Sequence, residues 1–332
     1  MRADQRDVPD APVTLLAQER PGLLVSVGAA IRALRPSQWT KNSFVLLALI
    51  FSRRIPDSTA LLRTLIAFVA FCCAASAVYI INDLADRERD RFHPRKRHRP
   101  IASGQLSPRG ASITLALCLA SATALVLLLM LTAAPDAFDP YRSWGGSPLL
   151  FALTMLCYVA INVAYSSWLK HQVIWDVFII AAGFVLRALA GAFVIPVPIS
   201  TWFYLCMTFL ALFLALGKRR SELIRLNDQA VIHRENLRQY SLTLLDQLIS
   251  IVATSMLLTY CLYTFQGENS NRPLLLTIPV VLFGTFRYLY LMYVRDDGDR
   301  PDEMLWRDPQ ILGTAVIYVL LVSILLYALP GH

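Results

Sequence analysis

The sequence predicts an all-α fold, a polytopic membrane bundle of nine transmembrane helices, and three observations predict it. Hydrophobic residues fill 56% of the 332 positions and charged residues only 16%, with a mean hydropathy of +0.51. That balance is too apolar for a soluble chain of this length. The apolar residues fall in successive long runs, most of them near the ~20 residues that a hydrocarbon core demands. Lysine and arginine gather in alternate connections between those runs, as they do in polytopic chains.

Taken in order, residues 1–20 carry Pro, Asp, Arg and Gln without an apolar core and read as a mobile tail rather than a signal peptide. Residues 21–37 follow as an amphipathic interfacial helix, with Leu24, Val27, Ile31 and Leu34 repeating at helical spacing. Residues 38–329 form a single catalytic domain of nine spans: 38–52, 60–82, 110–132, 148–166, 175–193, 200–217, 244–265, 273–294 and 310–329. Six cysteines, Cys72, Cys73, Cys118, Cys157, Cys206 and Cys261, lie inside apolar runs without a CxxC pair, as small core residues do.

Counting basic residues orients the bundle. The N-terminal segment and the connections 2–3, 4–5, 6–7 and 8–9 together hold 24 of the 31 Lys and Arg, and the opposite connections hold five. The positive-inside rule then puts the N-terminus and the basic connections in the cytoplasm and the C-terminus outside. A bacterial cytoplasmic membrane protein with its active site facing the cytoplasm is the expectation.

Chemistry concentrates in the stretch from Tyr79 to Gly104. Asn82, Asp83, Asp86 and Asp90 share one helix face at the mouth of span 2. Acids at a helix C-terminus oppose its dipole by about 0.3–1 kcal/mol each, so three of them there call for a purpose. Hard oxygens in this pattern suit Mg²⁺ arriving with substrate phosphates, and Arg95, Arg97 and Arg99 follow at once. Asn82, Asp83, Asp86 and Asp90 are therefore the candidate metal ligands. Tyr165 and Lys170 close span 4. Asp176 and Arg187 stand eleven residues apart on one face of span 5, either as halves of internal ion pairs or as the polar wall of a cavity. Span 6 ends in Lys218, Arg219, Arg220 and Glu222, where topology alone would also favour cations. Candidate catalytic residues are thus Asp83, Asp86, Asp90, Lys170 and Asp176. Candidate substrate contacts are Lys41, Asn82, Arg95, Arg97, Arg99, Tyr165, Arg187, Lys218, Arg219, Arg220 and Glu222.

These residues carry a resemblance. The Asn82-Asp83-x-x-Asp86-x-x-x-Asp90 motif, the Tyr165-to-Lys170 stretch and the nine-span count resemble the UbiA-type superfamily of intramembrane prenyltransferases over residues 32–329. The resemblance implies a diphosphate held through Mg²⁺ between two acidic motifs. The chain departs from that pattern, because Lys218-Arg219-Arg220-Ser221-Glu222 stands where the second acidic motif belongs. With RPSQWTKN, HPRKRHRPIASG, DVFIIAAGFVLRALAGA, GKRRSEL and FRYLYLMYV, this variant is similar to the phosphoribosyl-transferring branch of the superfamily. That branch implies 5-phosphoribosyl-1-diphosphate (PRPP) as donor, polyprenyl (decaprenyl) phosphate as acceptor, and service to cell-wall polysaccharide synthesis. Ordinary prenyl transfer to an aromatic acceptor and lipid-phosphate transport are the competing readings. A homo-oligomer is left open, and no nucleic-acid partner is expected.

Overall fold

The computed structural model describes residues 23–92, 96–133, 147–169, 172–195, 197–228, 239–266, 273–295, 304 and 307–328. Expectations for the tail 1–20, and for Arg95 and Lys170, lie outside the described residues. Among the described residues there are helices and turns and no strand.

Helix α1 (Leu23–Ala33) leads into an eleven-residue 3-10 segment, Pro36–Leu46, and then into the short α2 (Leu47–Phe51). There follow α3 (Ser58–Ala85), the short α4 (Arg87–Arg91), α5 (Pro108–Leu131), α6 (Pro148–Ser167), α7 (Trp175–Val194), α8 (Thr201–Asp228) and α9 (Leu242–Gln266). Helix α10 (Ile278–Val294) starts from a 3-10 turn, Leu274–Thr277, and α11 (Pro309–Ser323) runs into a π-helical turn, Ile324–Ala328. Eight of these helical stretches are long and apolar enough to cross a membrane. The chain is a multi-pass membrane protein.

Local chemistry sets the helix starts. The carboxylate of Asp57 accepts the backbone N–H groups of Thr59 and Ala60 at 3.0 and 3.1 Å, and Asp308 caps α11 in the same way. Ser107 caps α5, and Pro108, Pro148 and Pro309 each open a helix in its first turn, where a missing N–H costs nothing.

Two expected boundaries change. The first expected span, 38–52, is not among the eight, since it winds mainly as a 3-10 helix. Thr40 and Ser43 donate their hydroxyls to the carbonyls of Ser37 and Thr40, three residues back, which favours the tighter winding. The sixth expected span was to end at residue 217, but α8 continues to Asp228. No glycine or proline follows Gly217 before Asp228, and Lys, Arg, Glu and Leu are good helix formers. The Lys218-to-Glu222 cluster therefore sits inside a helix, one residue every 100°, and its three consecutive cations diverge.

Among the described residues, the two largest apolar cores hold most of the long helices. Phe71, Leu129, Phe151 and Tyr158 build one with the 3-10 segment, α2, α3, α5, α6 and α7. Phe213, Leu245, Ile249, Tyr288 and Met292 build the other with α7, α8, α9 and α10. Helix α7 belongs to both, and small residues permit that. A Cβ on Gly191 would stand 2.0 Å from the Val45 carbonyl oxygen, so the 3-10 segment crosses α7 where only glycine fits. Helix α1 packs through Ala29 and Ala33 beside Ile80, Ile101 and Leu106, leaving Val27 and Ile31 half exposed on its other side.

Candidate active site

Arg63 near the start of α3 donates to the carbonyls of Leu129 at the end of α5 and Val194 at the end of α7, so these helix ends share one end of the bundle. At the other end, Arg219 and Arg220 on α8 meet Asp176 at the start of α7, Tyr165 at the end of α6 and Asp246 at the start of α9. The charged motifs gather there in three groups.

The first group lies at the end of α3. Asp83 and Asp90 are each only 2% exposed. Arg99 binds both, its Nη1 donating to Asp83 Oδ1 at 3.0 Å and to Asp90 Oδ2 at 2.7 Å. Arg35 Nη2 donates to the same Asp83 oxygen at 2.6 Å, and Lys96 Nζ lies 3.8 Å from Asp90 Oδ1. Two buried carboxylates thus sit in a ring of three cations, which meets the requirement that buried charge be paired. Asp86 caps the end of α3, and its side chain has no partner among the described residues. Asn82 Oδ1 is buried without a hydrogen bond among the described residues. Arg97 is exposed on the 3-10 turn Lys96–His98, with Nε 3.3 Å from His98 Nε2.

The second group joins α7 to α8. Arg219, 1% exposed, sets Nε 2.6 Å from Asp176 Oδ2, and Asp176 is fully buried. Arg219 also contacts Glu222 and donates from Nη2 to Tyr165 Oη at 3.1 Å. Tyr240 donates its hydroxyl to Asp176 Oδ1 at 2.8 Å and accepts the Ile174 backbone N–H at 2.6 Å. Burial, with the Asp176 carboxylate adding to it, pushes the Tyr240 phenol well above its ordinary range, so it stays a donor. Ile174 is held at φ 70°, a costly conformation for a β-branched residue. Arg220 turns away to Asp246 on α9 at 2.7 Å, to the Met292 carbonyl, and over the Tyr293 ring.

The third group lies deeper in the bundle. Arg187 donates to Asn42 Oδ1 at 2.7 Å, to the Gly183 carbonyl at 2.7 Å and to Tyr158 Oη at 2.8 Å. Its guanidinium stacks on Tyr158 and Phe184. No carboxylate touches it among the described residues. Asn42 in turn donates to Cys72 Sγ at 3.2 Å.

The expected sites therefore divide. Asp83, Asp90 and Arg99 come together, as do Tyr165, Asp176, Arg219 and Glu222. Asp176 and Arg187, expected on one face of α7, belong to separate networks. Arg219 and Arg220, expected as phosphate contacts, are committed to internal acids. Lys41 Nζ donates to Gln38 Oε1 at 2.7 Å, and Lys218 also has a partner. Sequence reasoning missed Arg35, Asn42, Tyr158, Tyr240 and Asp246 as site residues. Asp246 carried a signal, being a lone acid near the start of an apolar helix. Arg35 carried one too, at the head of RPSQWTKN.

Among the described residues no three His, Cys, Asp or Glu side chains stand together as a complete metal cage. The donors present nevertheless fit Mg²⁺. Asn82 Oδ1 is orphaned, Asp86 is unpaired and Asp83 Oδ2 accepts no hydrogen bond among the described residues. Hard oxygens in small number are the protein's usual share of a magnesium site whose other ligands are phosphates and water.

The described residues form a helical membrane bundle with buried, cation-paired carboxylates at one end, and its similarities to known proteins make it an intramembrane transferase. The chain belongs to the UbiA prenyltransferase family, whose profile matches residues 42–306. It is similar to the decaprenyl-phosphate phosphoribosyltransferase of Mycolicibacterium smegmatis, 38% identical over 249 residues, which are 74% of this chain and 73% of that one. The enzyme of the same name from Corynebacterium glutamicum is 32% identical over 305 residues, 90% and 87% of the two chains. A UbiA homolog from Archaeoglobus fulgidus, solved with DMAPP and Mg²⁺, shares the fold at a TM-score of 0.65 and 18% identity, over 91% of this chain and all of that one.

Proposed function

We propose that this transferase moves 5-phosphoribose from PRPP to a polyprenyl phosphate and releases diphosphate, in the bacterial cytoplasmic membrane with its site facing the cytoplasm. The observation that carries the reading is the pair of buried acids, Asp83 and Asp90, set among Arg35, Lys96 and Arg99. The names of the relatives support it. In this reading the 3-10 segment with α2 is the first of nine crossings, and α1 lies on the bilayer through Val27 and Ile31.

Asn82, Asp83, Asp86 and Asp90 would hold Mg²⁺. Bound there, the ion would neutralise charge on the departing diphosphate. The remaining work falls to the chain. Arg35, Lys96, Arg97 and Arg99 supply donors for phosphate oxygens, arginine doing so with a planar fork. The acceptor phosphate is already anionic, so attack at C1 of the ribose requires no strong general base. Orientation and preorganised positive charge then carry the rate. Asp176, Tyr240 and Arg219 hold the start of α7 against α8, keeping the wall of the site rigid.

The test is purified protein in detergent with labelled PRPP, Mg²⁺ and polyprenyl phosphate. Labelled lipid is the expected product. Turnover of a prenyl diphosphate with an aromatic acid in its place would overturn the reading. Detergent offers no second compartment, so turnover there also separates an enzyme from a transporter.

A further inference from the structure

Arg35 is placed unlike any other cation at the site. Its backbone is left-handed, at φ 54° and ψ 60°, and it directly precedes Pro36. A residue before proline is pushed toward extended conformations, and a non-glycine residue at positive φ is held there only by its surroundings. Two side-chain contacts hold it. The guanidinium lies 4.8 Å over the Tyr79 ring and donates to Asp83 Oδ1 at 2.6 Å. Arg35 stands at the N-terminus of the 3-10 segment, far in sequence from the loop that supplies Arg99 and Lys96.

Two guanidinia converge on that one oxygen, Arg35 and Arg99, while Asp83 Oδ2 has no partner among the described residues. Arg99 is anchored by a second carboxylate, Asp90, at 2.7 Å. Arg35 has no second carboxylate among the described residues. Of the two, Arg35 is the one that can leave Asp83 without abandoning another acid. Its side chain is also 26% exposed, whereas Asp83 is 2% exposed.

We propose that Arg35 is a positioning residue with two alternative partners: it is the counter-cation that competes with a divalent metal for Asp83, and it turns to the phosphates that accompany the metal. Arg35 thereby makes productive occupation of Asp83 depend on metal and diphosphate together. The metal alone, arriving at the open Oδ2, shares the carboxylate's charge with the guanidinium on Oδ1 and weakens that bond with no new anion for Arg35. The metal with its diphosphate offers that guanidinium a new anion. This inference rests on the reading of Asp83 as a metal ligand, and it adds a residue that the acidic motif does not contain.

The two partners give opposite signs on removal, which a purely structural role would not. Isothermal titration of the detergent-purified full chain is done first with Mg²⁺ alone, then with inorganic pyrophosphate at saturating Mg²⁺. In Arg35→Ala, Mg²⁺ alone is expected to bind severalfold tighter and pyrophosphate about tenfold or more weaker, the latter matching loss of a charged hydrogen bond. Arg35→Lys keeps the charge without the fork and should fall between, with wild-type elution on gel filtration. Weakening of both ligands, or no change in either, would overturn the role of Arg35. A wild-type chain that binds neither Mg²⁺ nor pyrophosphate would overturn the metal–diphosphate reading itself, and the role of Arg35 with it.

Discussion

Arg219 and Asp176 form a buried pair whose removal should read as stability. A guanidinium 1% exposed against a carboxylate 0% exposed has little contact with water. Losing one partner of such a pair costs about 3–5 kcal/mol, because the other charge is left buried alone. Arg219→Ala is therefore expected to lower the melting temperature in detergent sharply. An Arg219→Met, Asp176→Leu double variant should recover most of that loss, and thermal melts of the three proteins check it. Asp83→Asn should behave oppositely, leaving melting nearly unchanged while turnover falls at least ~10²-fold, the scale for loss of a main electrostatic group in catalysis. Turnover assays beside melting curves separate the two. Part of this was legible in the chain. Asp83, Asp90 and Arg99 lie within seventeen residues, and spacing alone brings them near. Arg219 and Asp176 are 43 positions apart on different helices, and no periodicity says which acid a buried arginine will find.

Helix geometry carries the next expectations. Gly191 lets α7 pass the 3-10 segment at backbone contact, with the Val45 carbonyl oxygen where a methyl group would go. Gly191→Ala must separate the two elements, and overpacking of this kind costs about 1–3 kcal/mol. Melting checks the loss, and because Asn42 lies on the displaced segment, its bond to Arg187 should loosen as well. At the start of α11, hydrogen bonds from Arg287 hold the Asp308 carboxyl below its ordinary value, with the Ile311 and Gln310 N–H groups adding to the effect. A depressed carboxyl contributes stability above its unfolded value of about 3.9 and loses it as pH falls through the folded value below that. The stability gap between wild type and Asp308→Asn should be constant above about pH 5 and shrink below about pH 4. Melting both proteins across that range tests the window. Helix starts were readable in advance, since Asp, Ser and Pro announce them. The winding of residues 36–46 was not, because an apolar run with scattered Ser, Thr and Asn fits a period of 3.0 as well as 3.6.

At the scale of the whole molecule, hydropathy found eight of the nine expected spans and charge found one end of the bundle, because bilayer thickness and basic loops leave marks in any single chain. The cores are less visible. Phe71 on α3 meets Phe151 and Tyr158 on α6, and exposed lipid-facing residues such as Leu117, Leu156 and Ile317 look no different in sequence. In a membrane both faces of a helix are apolar, so pattern separates them poorly. Small residues do gather on α7, the helix that joins both cores, at Ala181, Gly183, Ala188, Ala190 and Gly191.

The tight winding before α2 also sets a reach. Eleven residues at ~2.0 Å and five at ~1.5 Å extend ~30 Å, the thickness of a typical hydrocarbon layer. The same sixteen residues wound wholly as α-helix would extend only ~24 Å. The chain between Arg35 and Ser52 is thus a stretched tether. It keeps Arg35 level with the acids at one end while Phe51 stays docked against Phe203 and Tyr263 at the other. A homologue with about four more residues in this interval could cover the same distance with ordinary α-helical winding.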